Sequence, residues 1–143
     1  MSTIVTRAGK GSPLTHTEVD SNFNNLNADK AGYVSGEGGT VTQATSKSTT
    51  VVFSSPGKKC GQITMHDASL AAATTVTFTV TNAMFAATDL LVLNHVSGGT
   101  AGAYLLNAQC GAGSAFINVR NVTAGSLGEA IVIGFAVIKA VTA

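Results

Sequence analysis

The chain has few ionised side chains. Eight basic and seven acidic residues make up 10% of its 143 positions, against roughly 25% in ordinary soluble domains. Because ionised side chains protect a surface from self-association, this scarcity predicts that much of the surface is covered by other copies of the chain or by other proteins. The net charge is +1 and the basic residues are scattered, so we expect no nucleic-acid partner.

Long apolar runs and cysteines are also few. The longest apolar run, Ala130 to Ile138, is far shorter than the roughly 20 residues of a membrane helix, so we expect no membrane partner. The first ten residues lack the apolar segment of a signal peptide. Cys60 and Cys110 are too few for a disulfide scaffold. Buried thiols are the favoured interpretation, with pairing left open.

Residues 1–40 are interpreted as an N-terminal docking arm. Thr15 and Glu18 have the spacing of a capping box and mark the start of one short helix. The apolar residues of that helix repeat at i, i+4 and i+7, a stripe too narrow to hold a short helix alone in water. Another apolar residue before the cap is placed to form a hydrophobic staple. The predicted partner-docking residues are Leu14, Val19, Phe23 and Leu26. A glycine-rich linker, including Tyr33, ends the arm.

Residues 41–143 are predicted to form an oligomerisation domain of the mainly β class. Alternation of apolar and polar residues is clearest from Thr75 to Thr81. Turn signals separate seven or eight such stretches, which is typical of a small antiparallel β-sandwich or jelly-roll-like domain. The candidate strands are Thr49 to Ser54, Gly61 to His66, Thr75 to Thr81, Leu90 to Val96, Ala103 to Ala108, Ala115 to Val122 and Ala130 to Lys139. Two segments, Leu90 to Leu93 and Ala130 to Ile138, are apolar on both faces. We expect a neighbouring subunit to cover their second face.

The residues provide no convincing active site. The candidate for nucleophilic catalysis is His66-Asp67 with Ser69 or Ser97, but the G-x-S-x-G pattern of a nucleophile elbow is missing. The three histidines, His16, His66 and His95, lie on separate elements and do not indicate zinc. The acidic residues of the β domain, Asp67, Asp89 and Glu129, suggest no glycosidase pair. We therefore predict a protein that is not an enzyme and needs no cofactor or metal.

Arg120 is the one arginine after position 40 and lies in an apolar stretch. An arginine in such surroundings usually has a carboxylate or carbonyl partner. Asp89 and Glu129 are candidates within the domain, and a pair between subunits is the alternative. Nearby, Asn121-Val122-Thr123 matches a glycosylation sequon, which matters only in a secretory pathway.

Two parts of the chain have familiar patterns. The first is T-R-A-G-K-G-S-P-L-T from Thr6 to Thr15, followed by E-V-D and N-F-N-N-L up to Leu26. It resembles N-terminal segments of many virion proteins of tailed bacteriophages, particularly tail fibres. The second part is similar to small β domains of phage structural proteins; it comprises Gly39 to Ala44, Cys60 to Met65, Arg120 to Val122 and Phe135 to Lys139. The resemblance implies attachment to a virion and a homotrimeric state.

The β domain follows the arm with no long shaft, repeat array or receptor-binding tip. This departure from a tail fibre favours a capsid decoration (cement) protein, which docks on the major capsid protein through its arm and stabilises the shell. The alternative is a short tail fibre, spike or tail-associated subunit on a tail or portal protein, with a β domain that binds a host glycan. Both imply a virion location, after assembly in the host bacterial cytoplasm.

Overall fold

A computed structural model describes residues 5–28, 38–54 and 56–140; the side chains of 25–28 are not described, and Tyr33 lies outside these ranges. The chain divides into two compact units, Met1–Gly32 and Tyr33–Ala143. The first contains α1 (Arg7–Lys10) and α2 (His16–Ala28). The second contains β1 (Thr40–Thr42), β2 (Val51–Phe53), β3 (Cys60–Thr64), β4 (Thr75–Asn82), β5 (Leu90–Ser97), β6 (Tyr104–Gly111), β7 (Ser114–Asn121) and β8 (Val132–Ile138).

The strands form two four-stranded sheets that pack on each other, so the predicted β-sandwich is confirmed. The strand orders are β1-β3-β8-β5 and β2-β4-β7-β6. The predicted antiparallel pairing holds for the inner pairs and for β5 and β6, whereas β1 and β2 pair in parallel with β3 and β4. The first four strands alternate between the sheets. After β1 the chain forms a strand in the opposite sheet before it forms β3, and the same happens between β2 and β4. Such a crossover lets the two neighbouring strands run in the same direction, which explains the parallel edges.

Alternation along the central strands builds the core between the sheets. Every second side chain points inward, and the most deeply buried ones are Ile63, Phe78, Val80, Ile117, Val119, Ile133 and Phe135. The rings of Phe53 and Phe85 pack edge-to-face on Phe135, with centroid distances of 4.9 and 5.9 Å. Such contacts add to the gain from burying the rings. The aromatic cluster therefore joins strands of both sheets.

The seven predicted strand stretches each overlap an observed strand, and two elements were not predicted. One is β1, whose three residues are too few to show alternation. The other is α1, a single helical turn. Both are too short to show a periodic pattern of apolar residues.

The asparagine of the sequon is a buried structural residue. The Asn121 side chain is fully inaccessible, and its amide nitrogen donates to the carbonyl oxygens of Leu70, Ala71 and Gly125 at 3.1, 3.2 and 2.8 Å. Its oxygen accepts from the amide and hydroxyl of Thr123 at 2.9 and 2.7 Å. A buried amide group must be hydrogen-bonded to avoid a desolvation cost. Asn121 therefore holds the loop after β7, and its nitrogen is not available for modification in the folded protein.

We predict that Gly61→Ala destabilises the sandwich. A Cβ atom at Gly61 would lie 2.7 Å from Cε1 of Phe53 and 2.9 Å from Cε1 of Phe135, closer than carbon atoms approach. Over-packing of this kind lowers the free energy of unfolding by about 1–3 kcal/mol. Denaturant unfolding followed by circular dichroism measures the loss.

Gly125→Ala is the matched control for Gly61→Ala. No heavy atom lies within 4 Å of a Cβ at Gly125, so the free energy of unfolding should change by less than about 0.5 kcal/mol. Equal stability of the two variants would contradict the close packing of the three residues.

Candidate interaction surfaces

The N-terminal unit is built around the start of α2. The amide of Glu18 donates to Oγ1 of Thr15 at 3.2 Å, and Oε2 of Glu18 accepts from the amide of Thr15 at 2.7 Å. These two bonds are the reciprocal pair of a capping box, so this sequence prediction is confirmed. The same carboxylate oxygen lies 2.5 Å from Nζ of Lys10, the last residue of α1. One side chain thus caps α2 and links it to α1.

Two further contacts fold the residues before Lys10 onto α2. Asn22 accepts from the amide of Val5 at 2.8 Å and donates to its carbonyl oxygen at 2.7 Å. Between these links, α1 begins with Thr6, whose Oγ1 accepts from the amide of Gly9 at 3.1 Å, and ends at Gly11 with φ of 72°. Threonine before a turn and glycine after it are ordinary helix-end residues. Thr6 and Gly11 are therefore a local sequence signal for α1.

The predicted docking residues differ in exposure. Phe23 on α2 is 67% exposed, whereas Leu14 and Val19 are half-buried. The Leu26 side chain lies outside the described part, and the staple between Leu14 and Val19 stays a prediction. A large aromatic ring with two thirds of its surface in water is the strongest docking candidate in this unit.

The edge strands β5 and β6 form one side of the β unit and carry no ionised residue of their own, although exposed Arg120 of β7 lies opposite Leu105. These strands lie next to each other across the sandwich, and neither sequence, LLVLNHVS or YLLNAQCG, contains Asp, Glu, Lys or Arg. Their exposed large apolar side chains are Leu90, Val92, Val96 and Leu105. Between them, Leu91, Leu93 and Leu106 are half-buried and pack against the core. We call this surface the uncharged side.

A hollow of about 470 Å³ adjoins the uncharged side on the outer face of the first sheet. Gly134 and Ala136 on β8 carry little side chain, so the larger side chains of neighbouring strands stand above them. Its wall includes Val92, Asn94 and Val96 of β5 and Gln62 of β3. The second face of the apolar stretch from Leu90 to Leu93 is therefore partly open, as the sequence predicts for strands that need a second cover.

The outer face of the other sheet is more polar. Thr77, Asn118 and Asn107 lie side by side on three strands. The Thr77 hydroxyl donates to Oδ1 of Asn118 at 2.5 Å, and Nδ2 of Asn118 donates to Oδ1 of Asn107 at 2.6 Å. Cross-strand hydrogen bonds of this kind suit a solvated face. This sheet nevertheless also exposes Leu105 and Phe116, so large apolar side chains are exposed on both sheets.

The two acids proposed as partners of Arg120 bind other groups. The Asp89 carboxylate lies 2.6 Å from Nζ of Lys139 and accepts from the amides of Ala86 and Ala140. Burial alone would raise the pKa of Asp89, but these hydrogen bonds outweigh it and hold the pKa below its ordinary value.

Glu129 is likewise engaged. Its carboxylate accepts from the amide of Thr100 at 2.6 Å and from the hydroxyl of Tyr104 at 2.8 Å, and these bonds lower the pKa of Glu129. Burial and the adjacent carboxylate raise the pKa of Tyr104. Arg120 is exposed on β7 and, among the described residues, forms no ion pair. Its predicted pairing with Asp89 or Glu129 is wrong, and the pair between subunits stays a prediction.

Lys47 is the most buried basic residue described and has a structural role. Its side chain is 4% exposed, and Nζ donates to the carbonyl oxygens of His66 and Glu129 at 2.6 and 2.7 Å. Burial lowers the pKa of Lys47.

The imidazole of His66 accepts from the amide of Ala68 at 2.9 Å and lies 3.2 Å from Asp67. In the described residues neither Ser69 nor Ser97 contacts this pair. The two cysteines fit the interpretation of buried thiols, since Cys60 is buried and Cys110 is half-buried.

The described residues give no sign of a metal site or of a membrane-spanning helix. No group of three His, Cys, Asp or Glu side chains in the described ranges is arranged to hold a metal ion. None of the described helices has the length and apolar character needed to cross a membrane. The chain matches no protein-family model, no curated protein and no solved structure. The exposed Phe23 and the uncharged side are therefore the strongest candidates for binding.

We predict that acid loosens the first turn of α2 through Glu18. Hydrogen bonds with Lys10 and with the amide and hydroxyl of Thr15 lower the pKa of Glu18 from an ordinary 4.5 to about 2. Because the folded state holds the ionised form, the contribution of Glu18 to stability is complete above about pH 4.5 and is lost as the pH falls towards 2. Amide NMR signals of residues 15–24 in the full chain should report this transition.

Glu18→Gln keeps the shape of the side chain and should remove that transition, while Asp20→Asn, on an exposed part of the same helix, should keep it. A transition that persists unchanged in Glu18→Gln would show that another group controls the helix start.

Proposed function

We propose that the chain is a structural protein of tailed-bacteriophage virions, a homotrimeric capsid decoration (cement) protein. Its arm docks on the major capsid protein and its sandwich assembles with other copies above the shell. The observation that carries the proposal is the exposed Phe23 on a capped, folded helix in a chain whose β unit has a separate apolar side. The resemblance of residues 6–26 to attachment segments of phage virion proteins gives the partner class.

Docking of the arm would be driven by apolar burial. Covering a large side chain such as Phe23 contributes about 1.5–3 kcal/mol of gross hydrophobic free energy, which alone gives weak binding once the cost of association is included. A trimer presents three arms to a repeating surface, and linkage raises the strength of attachment far above that of one arm. The proposal therefore needs both surfaces together.

The placement of the charged groups supports binding rather than catalysis. The buried charged groups Asp89 and Lys47, and the partly buried Glu129, each hold backbone atoms of neighbouring loops. A general acid or base must instead reach a substrate proton. These groups are already committed to internal hydrogen bonds.

We predict that Phe23→Asp abolishes attachment to virions while the oligomer persists. An aspartate would place a charge in the apolar contact, where it has no partner. Asn24→Asp is the matched control, because it adds the same charge at the next exposed position of α2. Phage particles grown in cells that supply only the variant chain would be purified and the chain measured by quantitative mass spectrometry. Normal attachment of Phe23→Asp would overturn docking through this residue.

The copy number per virion tests the location. Hundreds of copies of the unaltered chain are expected for a shell protein that follows the capsid lattice. A few trimers would instead identify the short tail fibre, spike or tail-associated subunit, and a glycan array would then test its β domain. Absence of the chain from purified particles would overturn the virion proposal altogether.

A further inference from the structure

We propose that the uncharged side, formed by β5 and β6, is the surface on which a second copy of this chain binds. The inference deepens the proposed function, because it rests on the homotrimeric state and names the surface that builds it. It is independent of what the arm contacts. Three observations in the β unit support it: the lengths of the sheet edges, their lack of charge, and the hollow beside β5.

The four sheet edges are unequal. β1 and β2 are edges of three residues each, whereas β5 and β6 are edges of eight. Soluble proteins keep free edges short or mark them with lysine, proline or an inward charge, because an open edge pairs with other chains. β5 and β6 contain none of these residues, and a bulge between His95 and Ser97 is the one irregularity in the pairing of β5. Apart from that bulge, these long edges on one side carry none of the usual protections, which indicates that the side is covered in the working protein.

The chemistry of the uncharged side favours a copy of the same chain as its occupant. In a cyclic oligomer, residues near the symmetry axis meet their own equivalents, so an ionised side chain there would face a like charge. β5 and β6 lack any ionised side chain and expose Leu90, Val92, Val96 and Leu105. Near a threefold axis β5 can meet its own equivalents without electrostatic repulsion, and away from the axis its apolar side chains can pack on a different surface of the next copy, with apolar area buried on both partners.

The hollow beside β5 gives this contact a shape. It lies over the small residues Gly134 and Ala136, and its wall includes Val92 and Val96 on the exposed face of β5. Apolar side chains of a neighbouring copy have space there without displacement of the core. Contact with the hollow would cover the second face of the stretch from Leu90 to Leu93.

The test compares two valines in matched positions. Val92 on β5 and Val52 on β2 both lie on edge strands, point outward and are half-exposed, at 52% and 54%. Lysine is tolerated at exposed edges of monomeric sheets, so both variants should fold. Val92→Lys places like charges together and should weaken self-association by about tenfold or more. Val52→Lys should associate like the unaltered chain.

Analytical ultracentrifugation over a range of concentrations measures the association, and circular dichroism checks the fold. Association of Val92→Lys at full strength would overturn the proposed surface, as would a loss confined to Val52→Lys. An unaltered chain that is monomeric at every concentration would overturn this surface and the homotrimer together. If Phe23→Asp loses virion attachment while Val92→Lys still forms trimers, only the assignment of the uncharged side as the contact surface is wrong.

Hydrogen exchange of the unaltered chain provides a second measurement that does not depend on a variant. Backbone amides of β5 and β6 should become more protected as the protein concentration rises through the association range, whereas those of β1 and β2 should not change. Equal exchange of β5 and β6 at all concentrations in a chain that does associate would place the contact elsewhere. This result decides the question if Val92→Lys does not fold.

Discussion

A β-sandwich must protect the edges of its sheets, and in this protein two of the edges are long, apolar and without charge. The scarcity of ionised residues noted in the sequence is therefore not evenly distributed over the structure. β1 and β2 are protected by being short, and the outer face of the second sheet has a hydrogen-bonded row of polar side chains. On the side formed by β5 and β6, Asn107 of β6 belongs to that row, whereas β5 is long and has no such row. Assembly is the remaining way to keep such a side from uncontrolled pairing.

Several of the few charges in the β unit hold loops in place. Lys47 binds two carbonyl oxygens from segments far apart in the chain, and Asp89 binds Lys139 and the amide of Ala140 after the last strand. Burial of a charge is costly unless its hydrogen bonds are made, and both groups have theirs. Asn121 does the same with an uncharged amide. These internal hydrogen bonds thus occupy several of the few charges and leave fewer for the surface.

Local patterns predicted the elements well, and the contacts between distant elements poorly. Strict alternation from Thr75 onward identified β4, and the spacing of Thr15 and Glu18 identified the start of α2, because both signals depend on neighbouring residues alone. Alternation does not say which strand lies alongside, so the parallel edges were missed. The hydrogen bonds of Lys47 depend on carbonyl oxygens that the fold brings near. The lack of an ion pair at Arg120 among the described residues depends on carboxylates that the fold keeps away. The open face of β5 was foreseen because Leu90 to Leu93 is apolar at every position, which one opposing sheet does not cover.

The internal contacts of the arm change the energetics of docking. A helix with three apolar residues would have to fold on its partner and would lose conformational entropy in doing so. Here the bonds from Glu18 to Lys10 and from Asn22 to Val5 already hold the turn before α2 against it. Less ordering is then required when Phe23 is buried, and more of the hydrophobic gain remains for binding. A pre-folded arm also accounts for two of the polar residues of α2, since Glu18 and Asn22 serve the arm's own structure, while the ring of Phe23 is left exposed.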